Sequence, residues 1–472
     1  MKYLPICLLL GMLSLFSCQN ESIESVAALS PTSIVFTGQV DSAEVEIIRC
    51  NTYLERMIDT LESGAFSFKI ESEIPQIVLF DYNEVRWEVY GQPGDTVILN
   101  FRHDDPIKSK LITGNSVREN QLLQMIKEHF DPLEDPTNQL FPMNGAEFVQ
   151  AIEKLQANTL AQFDSIIQVD QVDAAFVNIG QGYIDFSTAQ AINQYPAYHA
   201  HAIKDLSYIA DESILNAANQ YKVERTDLLG VVSYIRYLDH YVLNQTMELH
   251  RNNPNLMAKD RGFLYSLMQV LEEQFTTEAV TDHLKFTRFK SLLNMSSPQG
   301  REEWIEDFIA NTNNPFYKKE ISQLYKDWAP LMPGKPAPKF EYPDVDSNLY
   351  ALEDFKGKYV YIDMWATWCR PCLAEQPALE RLINRYKNND KIVFLGISID
   401  EKKTSWRRMV TNKGMKGIQL IADGAWESTI TKAYRIQGIP RFILIDDEGN
   451  IIDVDAKRPS DPGLVNELDA LI

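Results

Sequence analysis

The chain has 472 residues, 45% of them hydrophobic and 24% charged, which is the composition of a folded protein with material for two or three domains. Its 45 Lys+Arg against 66 Asp+Glu give a formal charge of −21, which argues against nucleic acid as a partner because nothing supplies the basic surface that phosphates require. Residues 333–472 carry 20 Lys+Arg and 21 Asp+Glu, so the excess negative charge lies almost wholly ahead of them, on an acidic body read as a solvated surface.

The first segment reads as an address. Met1-Lys2 is a short positive region and Leu8 to Phe16 an apolar run too short to span a bilayer comfortably. Leu15-Phe16-Ser17 leading into Cys18 resembles the lipobox of bacterial lipoproteins. That resemblance implies a signal peptide over residues 1–17, lipid modification of Cys18 as the mature N-terminus, and the several acyl chains that stable anchoring takes. An ordinary signal peptide cut elsewhere is the alternative. Residues 18–29 form a tether, in which Gln19, Asn20, Glu21 and Glu24 resemble the surface-export signals of Bacteroidetes lipoproteins. The expected location is the envelope of a Gram-negative bacterium, lipid-anchored, facing the periplasm or the surface. With Cys7 lost and Cys18 lipidated, Cys50, Cys369 and Cys372 remain, and one close pair with a singleton is not a disulfide-stapled scaffold.

A β-rich domain is predicted over 30–114, with strands at Ser33–Phe36, Glu44–Ile48, Ala65–Ile70, Ile77–Phe80 and Thr96–Phe101 separated by turn signals at Gly64 and Pro93-Gly94-Asp95. Gly64-Ala65-Phe66-Ser67-Phe68 and Pro93-Gly94-Asp95-Thr96-Val97 resemble the small β-sandwich-like domain of unknown function that precedes thioredoxin domains in Bacteroidetes lipoproteins. Cys50 reads as a small buried hydrophobe, with a third redox role as the alternative. Over 115–330 the period changes to three and four residues, predicting an α-helical domain. Its helices fall at Asn120–Phe130, Phe148–Ile167, Asp227–Leu243, Arg261–Phe275, Glu278–Leu293, Gly300–Ile309 and Tyr317–Trp328. Tyr234, Tyr237 and Tyr241 read as core. His199 and His201 have the spacing of a strand-borne metal pair but no third ligand nearby, so no metal is expected there.

The Pro/Gly-rich run Leu331 to Pro338 marks the last boundary, and 333–472 alternates strand and helix. Strands are predicted at Val360–Trp365, Ile392–Ile399, Gln419–Ala422 and Phe442–Ile445. Helices follow the cysteine motif to about Lys387 and span Thr404–Asn412 and Pro462–Leu471, giving an α/β sandwich with a mixed sheet. Gly334-Lys335-Pro336-Ala337-Pro338-Lys339-Phe340, Trp365-Ala366-Thr367-Trp368-Cys369-Arg370-Pro371-Cys372, Glu375 and Gly438-Ile439-Pro440-Arg441-Phe442 resemble the TlpA/ResA-like branch of extracytoplasmic thioredoxins, in order. The resemblance implies a thioredoxin fold and a redox disulfide between Cys369 and Cys372, with Cys369 as nucleophile and Cys372 as resolving thiol. It also implies that Ile439-Pro440 is a cis-proline element where a substrate peptide adds as a β-strand. A helix start at Cys369 favours its thiolate, and Pro371 suits the first helical turn. Arg370 places a cation near both sulfurs, and Trp368 completes the substrate-facing surface. Asp363, on the strand beneath the motif, matches the buried acid of thioredoxins, and Glu375 matches the acid credited with the same tuning in the extracytoplasmic branch. Most relatives carry Thr after the proline, and Arg441 departs from that.

Zinc would need two further ligands, yet residues 333–472 hold no His and no third Cys; haem attachment would need His where Leu373 stands. A peroxiredoxin would need Pro and Thr/Ser where Ile362 and Ala366 stand. No cofactor is expected. The sequence thus predicts a membrane-anchored thiol–disulfide oxidoreductase that reduces protein disulfides and is itself re-reduced by a membrane thiol carrier. The alternative is a partner-binding lipoprotein with an accessory redox domain.

Overall fold

The computed structural model describes residues 33–42, 47–52, 56–61, 63–221, 224–258 and 262–472. The signal peptide, the tether and Cys18 lie outside the described residues. Residues group into two compact units, one running up to residue 223 with Asp227–His240, the other holding Glu224–Thr226 and Tyr241–Ile472.

The first unit begins with eight strands: β1 (Ser33–Asp41), β2 (Ile47–Asn51), β3 (Arg56–Thr60), β4 (Ala65–Glu71), β5 (Gln76–Tyr82), β6 (Val85–Gly91), β7 (Thr96–Arg102) and β8 (Leu111–Gly114). They form two four-stranded sheets, ordered β4-β1-β7-β8 and β3-β2-β5-β6. In β4 the side chains of Phe66, Phe68 and Ile70 point inward while Ser67, Lys69 and Glu71 face water, the two-residue period of a half-buried strand. Ile34, Phe36, Phe66 and Phe68 from one sheet meet Ile48, Cys50, Val78 and Phe80 from the other in a single core, which makes the pair a sandwich. Burial pushes the Cys50 thiol well above its ordinary range, so it stays protonated and inert.

Strands β3, β6 and β8 escaped the sequence reading. In β6 alternation is hidden because residues from Trp87 to Gly91 are all buried. Tyr183 Oη donates to Glu88 at 2.6 Å, and the Tyr90 N–H donates to Asn120 Oδ1 at 2.8 Å, so helices cover the strand's other face. The helices bonded to the strand are α1 (Val117–Phe130) and α3 (Ala174–Ala202), and α2 (Gly145–Ile167) and α4 (Glu212–Asn219) pack against α3. The sequence reading also missed α3. Stretches such as Tyr183-Ile184 and Ala189 to Ile192 bury all round the helix, which erases the amphipathic period. His199 and His201, whose spacing would suit a pair on one face of a strand, both lie on α3, where two positions apart do not share a face. His199 Nδ1–H donates to the Phe141 carbonyl at 2.6 Å, its ring stacks 4.8 Å from Tyr195, and His201 is exposed.

The division between units falls within α5 (Val232–Asn252). The second unit continues with α6 (Pro254–Ala258), α7 (Gly262–Gln274), α8 (Glu278–Met295), α9 (Glu302–Asn311) and α10 (Pro315–Asp327). Buried Trp328 closes this segment by donating its indole N–H to the Leu293 carbonyl at 2.8 Å. The remaining elements are β9 (Glu341–Pro343), β10 (Leu349–Ala351), β11 (Tyr359–Trp365), α11 (Arg370–Arg385), β12 (Ile392–Ser398), α12 (Lys403–Lys413), β13 (Ile418–Ile421), α13 (Thr429–Ala433), β14 (Arg441–Ile445), β15 (Ile451–Asp453) and α14 (Pro462–Leu471). They build a five-stranded sheet ordered β13-β12-β11-β14-β15, with β11, β12 and β13 parallel and β14 and β15 antiparallel, the mixed sheet expected. Among the described residues no helix is long and apolar enough to cross a membrane.

Phe80 lies 5.8 Å from Phe36, 6.0 Å from Phe66 and 5.8 Å from Phe68, ring to ring, so Phe80→Ala removes the centre of the sandwich core. It should cost about 3–5 kcal/mol, whereas Cys50→Ala should cost about 1 kcal/mol and leave any exchange activity unchanged; urea unfolding and a disulfide-reduction assay read the two effects.

Candidate active site

Strand β11 is hydrogen-bonded on one edge to β12 and on the other to β14, and its run Val360-Tyr361-Ile362-Asp363-Met364-Trp365, with side chains on both faces, is wholly buried. After Trp365 the chain turns. The Thr367 N–H and hydroxyl both donate to the Asp400 carboxylate, at 2.9 and 2.6 Å, and Ser398 Oγ adds a third bond at 2.8 Å. This clamp at the end of β12 fixes the approach to the cysteine motif.

Cys369 is the N-cap of α11, with extended backbone, and its Sγ accepts the Cys372 N–H at 3.2 Å. The unpaired N–H groups of a helix start and the dipole behind them favour negative charge at that sulfur. Pro371 stands in the first turn, where its missing donor leaves no gap. The two sulfurs are bonded to each other, with their Cα atoms 5.3 Å apart. Around them Trp368 is 56% exposed and Arg370 and Pro371 face solvent, while Cys369 and Cys372 are buried.

Asp363 is only 1% exposed. Gln376 Nε2 donates to its Oδ2 at 2.9 Å, and its Oδ1 is buried without a hydrogen-bond partner among the described residues. Burial raises its pKa from 3.8 to about 7; the Gln376 bond works against that rise and the nearby Glu375 charge adds to it. Glu375 is also buried, and both its oxygens are occupied: the Ser460 N–H donates to one at 3.0 Å and Ser460 Oγ to the other at 2.9 Å. Neither acid is the surface carboxylate that its sequence position alone allowed.

The Ile439–Pro440 peptide is cis, and both residues are partly exposed. Arg441, which follows, is buried; its guanidinium pairs with Asp455 at 3.1 Å and donates to the Met295 carbonyl. Beside the motif an open groove of about 360 Å³ is lined by Thr367, Trp368, Ile399, Asp400 and the exposed Trp426, whose ring lies 6.3 Å from that of Trp368. The residues that sequence reasoning missed are Asp400, Gln376, Ser460 and Trp426. Asp400 carries a signal, an acid just past a strand's C-terminal end; the others meet the site only through tertiary packing.

A family profile described as Redoxin matches residues 332–472. Thiol-disulfide oxidoreductase ResA of Bacillus cereus (strain ATCC 10987 / NRS 248) is 33% identical over 119 residues, 25% of this chain and 66% of that relative's length. ResA of Bacillus anthracis is 30% identical over 130 residues, 28% of this chain and 73% of the relative. The chain belongs to the TlpA/ResA-like thioredoxin family. Its thioredoxin-like domain is the family's thiol–disulfide oxidoreductase module, and the family profile begins at residue 332. Among solved structures, a thiol-disulfide oxidoreductase from Bacteroides fragilis NCTC 9343 is 28% identical, covering 29% of this chain and 100% of that one, with a TM-score of 0.28.

In this thioredoxin-like domain the folded protein holds the Asp363 proton more tightly than the unfolded chain does, because the pKa is raised from 3.8 to about 7. The buried carboxyl therefore costs little below about pH 4 and lowers stability progressively as pH rises through 7. Asp363→Asn should raise stability by about 2–4 kcal/mol near pH 8, a gain that shrinks toward zero near pH 4. Urea midpoints of the oxidised protein across that range measure it, and a gain independent of pH would contradict the buried titration.

Proposed function

We propose that the protein is a lipid-anchored thiol–disulfide oxidoreductase that reduces disulfides of other proteins outside the cytoplasm. The observation that carries this is the Cys369–Cys372 bond at the start of α11, in a domain that also buries a carboxyl with an unpartnered oxygen. In the reduced protein the Cys369 thiolate attacks one sulfur of a client disulfide. A Cys369–client bond forms, the client's own bond breaks, and one client thiolate leaves. Asp363 accepts the proton of the Cys372 thiol, and the Cys372 thiolate then attacks the Cys369 sulfur. The second client thiolate is released and the domain is left oxidised, two electrons having passed to the client. Gln376 positions Asp363, and Glu375, held by Ser460, is the neighbouring charge that strengthens its hold on the proton. Trp368, Arg370 and Pro371 face the client on one side of the sulfurs, and Ile439 and Pro440 on the other, where the client adds as a strand.

A membrane thiol carrier returns the two electrons. Lipidation of Cys18 would hold the module at the membrane surface within reach of that carrier, in the envelope of a Gram-negative bacterium. The support for this placement is the lipobox-like segment ahead of Cys18.

Cys372→Ser should accumulate mixed disulfides with client proteins, seen as adducts that collapse on reduction, while Cys369→Ala should give none. Equal capture by both variants would remove the nucleophile assignment. Titration against glutathione should give a potential near the thioredoxin range of about −270 mV, and a value near about −120 mV would reverse the direction proposed.

A further inference from the structure

Exchange chemistry requires nothing of the helical segment that runs from α8 to Trp328, yet that segment is fastened to the thioredoxin-like domain at three places. The Arg441 guanidinium donates to the Met295 carbonyl, Gln299 Nε2 donates to the Ile452 carbonyl at 3.4 Å, and Arg435 pairs with Asp327 at 3.4 Å while lying 5.4 Å over the Trp328 ring. Arg441 is the residue after the proline, and its departure from the family's threonine has a structural use: it grips the end of α8.

The grip leaves the Met295 side chain 50% exposed beside the loop that carries Ile439 and Pro440. A Cβ placed on Gly438 would meet the Met295 ε-methyl at 3.3 Å. Beyond the glycine's chain neighbours, no other atom of the described residues comes within 4 Å of that point. The space over Gly438 is therefore open except for one thioether. A client strand pairing at Ile439 would run past it, and a client side chain lodged there would have Met295 as its wall. Methionine is unbranched and polarisable, so it adapts to apolar groups of varied shape, while a carboxylate set against it would lose water without gaining a partner.

We propose that Met295 is a specificity-determining residue of the client groove, selecting disulfides whose cysteine is flanked by an apolar side chain, and that Arg441 is the positioning residue that holds it there. This rests on the exchange reading above.

The test uses the full reduced protein with three substrates. Two are disulfide-linked peptides, identical except for leucine or aspartate beside the cysteine, and the third is bis(2-hydroxyethyl) disulfide, which has neither a peptide backbone to pair at Ile439 nor a side chain beside its sulfurs. The wild-type protein should favour the leucine peptide by about 5- to 10-fold in kcat/KM, expressed mainly in KM. Met295→Ala should bring the two peptides within about twofold of each other, Met295→Asp should lower kcat/KM for the leucine peptide by about tenfold, and Arg441→Thr should resemble Met295→Ala. Reduction of the small disulfide should be unchanged in both Met295 variants. An unaltered leucine preference in both would overturn the proposal, as would an equal loss on all three substrates, which would mark a merely structural role. A wild-type protein unable to reduce even the small disulfide would instead defeat the exchange reading, and this inference with it.

Discussion

Strand β11 is confined on every side, its edges bonded to β12 and β14 and the side chains of Val360 to Trp365 buried on both faces, and it is this confinement that gives the site its character. A carboxyl in the middle of such a strand has no water to stabilise its charge, so the sheet itself sets the proton affinity of Asp363. The same strand delivers the chain to the sulfurs. Trp365 ends it, Asp400 holds the turn, and Cys369 begins the helix, so rigid elements rather than a free loop fix the geometry of the disulfide.

Two carboxyls lie close together here, and their hydrogen-bond surroundings differ. Both oxygens of Glu375 accept hydrogen bonds from Ser460, while Asp363 has one bonded oxygen and one bare one. A bare buried oxygen favours the proton, in line with the raised pKa of Asp363. The two acids thus differ in their hydrogen-bond partners, although the residue types are nearly the same.

Much of this was legible in the amino-acid order. The cysteine pair, the proline loop and strands β11, β12, β13 and β14 announce themselves through local spacing, whereas the three-residue strands β9, β10 and β15 do not, and Phe66, Phe68 and Ile70 show the sandwich through simple alternation. Where an element is covered on more than one side, the pattern vanishes. Strand β6 and helix α3 cover each other in part, through Glu88 and Tyr183, and neither shows the period that a half-exposed element would. The supporting shell was illegible for a different reason. Gln376 and Ser460 are ordinary surface-type residues until the fold points them at Asp363 and Glu375. Arg441 was visible as an oddity, but its reason lies 146 positions away at Met295.

The bond between Ser460 and Glu375 closes a loop of 85 positions from the active-site helix to the segment just before α14. Removing that anchor would strip the hydrogen bonds from one carboxylate beside the buried acid while leaving the disulfide and β11 in place. The surroundings of the Asp363 proton therefore include a contact made far along the chain from the active-site helix, so a change at Ser460 reaches the site without touching either cysteine.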